Sequence, residues 1–179
     1  ACAAMMLSKL GISTTQDAIF SLTGIDPTLG RGAYTAELVR ALKAVGFDLG
    51  AVWHTVQRTH ANQSLKILWD ALYQDLRQGH GSIVCMRYDD QPDATEHFRL
   101  VLGYDAQKDE LIYHEPAEAN GAYKRMSRDL FFRLWPLKYT ADTWTVIRLA
   151  LRHATLKSPP KTLIGHTRTD YAQHIRRLK

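Results

Sequence analysis

The sequence predicts an α+β fold with its helices ahead of its strands, and three observations carry that expectation. Apolar residues recur at helical spacing as far as Gly79, and the period shortens towards strands from Gly81 onward. The turn Asp105-Ala106-Gln107-Lys108-Asp109 then joins two of the later runs as a hairpin. Helices packed on one side of an antiparallel sheet is the arrangement this order implies.

The first element, Ala1 to Gly11, is a strong helix-forming run closed by a glycine suited to a helix C-terminus. No Ser, Thr, Asp or Asn stands ahead of it to answer its first amide groups, which predicts that a further segment precedes Ala1; removal of an initiator Met is the alternative origin of such a start. Thr14 and Thr15 can cap a short helix through Leu22, and a loop from Thr23 to Gly32 with Pro27 and Gly30 follows. Thr35 caps the next helix, in which Leu38, Val39, Leu42 and Val45 share a face before Gly46. Ser64 opens another, with Leu65, Leu68, Leu72 and Leu76 at helical spacing and Gly79 at its end. Strands are expected over 83–88, 97–104, 110–114 and 143–151, with a short helix over 127–134 between the last two.

A chain of 179 residues with 45% apolar composition can bury a sizeable core as one domain. The domain is expected to span 1–156, with Lys157-Ser158-Pro159-Pro160 setting off a basic segment over 157–179. The net charge of +5 is spread along the chain apart from that segment, so nucleic-acid binding is not expected as the main function. Within the segment, Arg168, Arg176, Arg177 and Lys179 flank Tyr171 and Ile175; an amphipathic helix packed on its own domain is preferred here to an adaptor for an acidic partner. No apolar stretch approaches the roughly 18 to 20 residues needed to cross a bilayer. The two cysteines are too few for a disulfide framework or a structural zinc site, and Cys85 lies in a run, Ser82-Ile83-Val84-Cys85-Met86, that reads as a buried strand.

His97 begins one strand of the hairpin, and the other ends at His114-Glu115-Pro116, so antiparallel pairing returns Glu115 to the neighbourhood of His97. A carboxylate beside an imidazole fixes its tautomer and stabilises the imidazolium, which is what a general base serving a nucleophile requires. An exposed ion pair across a hairpin is the plainer alternative, and spacing alone leaves both open. Asp105 and His114 are nearby substitutes for the acid. His114 should point to the opposite face of its strand and is the poorer of the two.

Two stretches of the chain resemble the bacteriocin-processing, double-glycine cysteine peptidases of the papain-like group. Ala1-Cys2-Ala3-Ala4-Met5-Met6 through Gly11 is similar to the second part of that family's first helix, approximately D-C-G-x-A-C-L-x-M-I. His97-Phe98-Arg99-Leu100-Val101-Leu102-Gly103-Tyr104-Asp105 and Glu115-Pro116-Ala117 resemble its H-F-x-x-V-x-G-Y-D strand and the following D-P-A. The resemblance covers roughly residues 1 to 151 and implies a papain-like fold. It implies a catalytic role for His97 as base and for Glu115 as the acid that holds the ring, with Glu standing where the family usually has Asp or Asn.

In the family motif the nucleophile is the first cysteine, and Cys2 matches the second, one helical turn deeper. The resemblance therefore places the nucleophile just before Ala1, at a helix N-terminus where the dipole and free amides lower a thiol's pKa and help build an oxyanion hole. The glutamine that lines such a hole would also lie upstream. Cys2 itself is the reactive thiol in the minority reading, in which residue 1 is the true start. The mechanism implied is thiolate attack on a peptide or protein substrate, and it requires no metal or organic cofactor. With no nucleotide-binding P-loop pattern, the chain looks like a free-standing member of a bacterial family acting on peptides at or outside the membrane. A catalytically inactive binding module and an acyltransferase or amidase on the same fold are the competing readings.

Overall fold

The computed structural model describes residues 1–153. Its first three helices are α1 (Cys2–Lys9), α2 (Gln16–Thr23) and α3 (Thr35–Ala44), followed by strands β1 (Phe47–Asp48) and β2 (Trp53–Gln57) and by α4 (Ala61–Arg77). Strands β3 (Ser82–Arg87), β4 (Glu96–Asp105), β5 (Glu110–His114) and β6 (Lys124–Ser127) come next, then α5 (Arg128–Leu134), β7 (Thr143–Ala150) and β8 (Arg152–His153). Six strands form one antiparallel sheet in the order β2-β7-β3-β4-β5-β6, and β1 pairs with β8 apart from it. This is the α+β class expected.

Helices cover both faces of the sheet, which corrects the expectation that they lie on one side. On one face α1, α2 and α3 bury Met6, Leu7, Ile19, Leu38 and Leu42 against Ile83, Cys85, Leu100, Ile147 and Leu149. On the other, α4 and α5 bury Leu65, Trp69, Leu72, Phe131 and Leu134 against Val84, Met86, Val101, Leu111 and Val146. Strand residues alternate between the two cores because successive side chains point to opposite faces. The physical reason stands in the sequence of β3, where five consecutive buried residues, Ser82 to Met86, leave neither face free for water.

Local chemistry sets most helix ends. The Thr15 hydroxyl accepts from the Ala18 amide and caps α2, and the Ser127 hydroxyl accepts from the Leu130 amide and caps α5. Two expected starts shift. Thr35 is the first residue of α3 and not its cap, because the Glu37 carboxylate reaches back to the Tyr34 amide at 2.7 Å while pairing with Arg31. Helix α4 begins at Ala61 rather than Ser64, continuing from a 3₁₀ turn over Arg58–His60.

Strands β2 and β6 were not expected. Each has one buried residue, Val56 and Met126 respectively, and both lie at sheet edges, so neither shows a run of alternating apolar positions. At the far end of the sheet, Asp75 near the C-terminus of α4 accepts from Arg148 of β7 and from Arg152, and Arg148 Nε donates to Ser82 Oγ of β3 at 3.0 Å. This buried network ties α4 to two central strands. No helix among the described residues is long and apolar enough to cross a membrane. The expectations for the basic segment over 157–179, and its boundary at 156, lie outside the described residues.

Candidate active site

The site forms where the β4 and β5 ladder ends early. Strand β4 pairs with β3 over its first residues, Arg87 opposite Glu96 and Met86 opposite His97, but its ladder with β5 begins only at Leu100 opposite His114. Past His114 the chain leaves the sheet, and Pro116, which has no amide hydrogen, cannot continue a ladder. The segment folds back at once: the Glu115 amide donates to the Gly121 carbonyl at 2.7 Å, and the Gly121 amide donates to the Glu118 carbonyl at 3.1 Å. Gly121 is required there, because a Cβ at this position would stand 1.9 Å from the Glu115 carbonyl oxygen.

This loop presents the Glu115 side chain, 1% exposed, to the start of β4. One carboxylate oxygen, Oε1, accepts from His97 Nε2 and from the Ala117 amide at 3.0 Å. The other, Oε2, accepts from Arg99 Nε at 2.8 Å. His97 and Arg99 reach one carboxylate because they are two residues apart on a strand and share a face. Burial alone would raise the Glu115 carboxyl, but the Ala117 amide, His97 and the Arg99 charge outweigh it and hold the group below its ordinary value. Glu115 is therefore an acceptor on both oxygens.

Because ionised Glu115 only accepts, His97 Nε2 carries the hydrogen, and in the neutral ring Nδ1 is then the nitrogen with the free lone pair. The ring is 22% exposed, and Tyr88 lies edge-on to it with ring centroids 5.4 Å apart. A carboxylate-anchored imidazole with one basic nitrogen directed away from its anchor is able to accept and return a proton.

Helix α1 meets this same end of β4. In its first turn Cys2 is 6% exposed, with Sγ 3.8 Å from the Phe98 carbonyl oxygen, on the residue next to His97. Burial pushes the Cys2 thiol up to about 11, and the Glu115 charge adds to the rise. Cys85 is buried on β3, its thiol directed to Glu96 and pushed up to about 12, first by burial and then by that carboxylate. Neither environment favours a thiolate.

Of the two substitutes considered for the acid, Asp105 lies at the opposite end of β4, bonded to Arg125 and to the amides of Gln107 and Lys108. His114 pairs opposite Leu100, whose side chain belongs to the α1 face, and its Nδ1 accepts from the Tyr123 amide. Neither reaches His97. The sequence reading missed Arg99, Tyr88 and Gly121. Arg99 carried a signal: a cation two residues from His97 within an otherwise apolar strand. Among the described residues no group of three or more His, Cys, Asp or Glu is placed to hold a metal ion.

The sequence model of the Peptidase_C39 like family matches residues 1–147, a span that takes in α1, His97 and Glu115 and bears out the family resemblance drawn from the two motifs. No curated protein matches the chain.

Proposed function

The chain belongs to the Peptidase_C39 like family, and from that membership we propose a cysteine peptidase that hydrolyses peptide bonds, with His97 as general base and Glu115 as the acid that orients it. The observation that carries this reading is the buried Glu115 carboxylate on His97 Nε2, which leaves Nδ1 as the basic nitrogen of the ring. In this reading the nucleophile is a cysteine on the N-terminal side of Ala1, one helical turn ahead of Cys2, as the motif match implies. The burial of Cys2 and its raised thiol pKa support that position over Cys2 itself.

The chemistry follows from the tautomer. His97 Nδ1 takes the thiol proton, and the imidazolium is stabilised by Glu115 through Nε2–H. The thiolate attacks the peptide carbonyl carbon, forming a C–S bond, and the amide groups at the helix N-terminus receive the developing oxyanion. Collapse breaks the C–N bond, and His97 returns the proton to the leaving amine. A water then gives a proton to His97 as it attacks the thioester, and breaking the C–S bond releases the acid and restores the thiolate.

The test uses the protein with its native residues ahead of Ala1, assayed on a panel of peptide and thioester substrates, beside His97→Ala and an alanine at the upstream cysteine. Peptide turnover should fall by about 10²–10⁴-fold in His97→Ala. Turnover of thioesters without peptide hydrolysis would make the chain an acyltransferase, and no turnover of any substrate would make it a binding module. Either outcome sinks the peptidase reading.

A further inference from the structure

Resting on that reading, we propose that Arg99 is a positioning residue of the site: its guanidinium fixes Glu115 in the rotamer that meets His97 and balances the carboxylate's charge. A glutamate has three side-chain torsions, and a hydrogen bond from His97 alone does not select one arrangement of them. Arg99 selects it by occupying Oε2 at 2.8 Å, while the Ala117 amide shares Oε1 with His97.

Arg99 is itself held on every side. Nη1 donates to the Arg87 carbonyl at 3.1 Å and Nη2 to the Tyr88 carbonyl at 2.6 Å, at the point where β3 leaves the sheet. The planar cation also lies 5.3 Å from the Tyr88 ring centroid and 5.5 Å from that of Tyr113. Tyr88, whose ring also packs at 77° to the His97 ring, is thus shared between the guanidinium and the imidazole. A cation 5% exposed, with three donors committed to three fixed acceptors, is a rigid part of the site and not a surface ion pair.

The charge consequence follows. Titratable and charged groups facing Glu115 are His97 and Arg99 from β4, Cys2 from α1, Tyr113 from β5 and Lys124 from β6. Arg99 is the permanent cation that bonds the carboxylate directly. Without it, the buried carboxylate would lose both a charge-assisted hydrogen bond and the cation that balances its charge.

The experiment observes the downfield Nε2–H proton of the His97–Glu115 bond by NMR in the wild type, Arg99→Gln and Arg99→Lys, with kcat and KM for peptide hydrolysis measured on the protein carrying its native upstream residues. Arg99→Gln should shift or abolish that signal and lower kcat by about tenfold or more with KM little changed. Arg99→Lys keeps the charge but not the fork, so neither the signal nor kcat should return fully to wild type. A folded Arg99→Gln protein with an unchanged signal overturns the inference. If Arg99→Gln does not fold, Arg99→Lys decides alone: wild-type kcat in that variant also overturns it. A changed signal in a protein that cleaves no peptide removes the peptidase reading and leaves the Arg99 coupling standing.

Discussion

The assignment of Cys2 as a buried thiol makes a rate prediction that needs no substrate. Its pKa rises from 9.0 to about 11 in the folded chain, so at pH 8 the thiolate fraction falls from about one in ten to about one in a thousand. Alkylation by iodoacetamide should therefore be about 100-fold slower at Cys2 in the folded protein than in urea, before any further slowing from its 6% exposure. Cys85, pushed up to about 12, should be slower still. Quenched time points read by peptide mass spectrometry resolve the two sites, and the Cys2 rate should keep climbing between pH 8 and pH 10 instead of levelling near 9. Both thiols are neutral in the folded state. The stability tied to Cys2 is thus complete below pH 9 and is lost as pH rises from about 9 to about 11, because the unfolded chain ionises first. Labelling of Cys2 as fast in the folded chain as in urea would refute the reasoning and return Cys2 to the place of the nucleophile.

Two further perturbations test the supports of the site and the sheet. Gly121→Ala puts a Cβ 1.9 Å from the Glu115 carbonyl oxygen, so that backbone must move by about 1 Å or more; peptide turnover should fall by about 100-fold, with a lower Tm, and unchanged values of both would mean the loop does not hold Glu115 in place. Asp75→Asn leaves two arginines, one of them buried, without their carboxylate and should cost about 3–5 kcal/mol in urea unfolding at pH 7. Burial opposes the Asp75 charge, but Arg152 and Arg148 hold its carboxyl below 3.8, so its contribution is intact above about pH 4 and is lost as pH falls through the folded value. The gap between wild type and Asp75→Asn should accordingly narrow as pH falls below about 4, and a gap that stays constant would refute the linkage.

What the sequence determined by itself was whatever depends on near neighbours along the chain. Helices α1 to α4 were legible because apolar residues at a spacing of three and four must share a side, and β3 to β5 because a run such as Ile83 to Met86 and a hairpin turn at 105–109 leave few other conformations. The approach of Glu115 to His97 followed from that hairpin, since antiparallel strands of known ends return to a common point. Tertiary structure alone decided which faces the helices cover, because α4 and α5 have apolar stripes that suit either side of a sheet. It also decided the edge strands, whose single buried residues Val56 and Met126 acquire a partner only when the sheet is assembled. The same holds for the electrostatics of the site. Arg99 reaches the Arg87 and Tyr88 carbonyls through the β3 and β4 register, and Gly121 closes on Glu115 through a loop that bends back after the strand ends. Those contacts join residues 11, 12 and 6 positions apart by geometry that no local period encodes, and they are what turns a histidine and an acid of suitable spacing into a fixed pair.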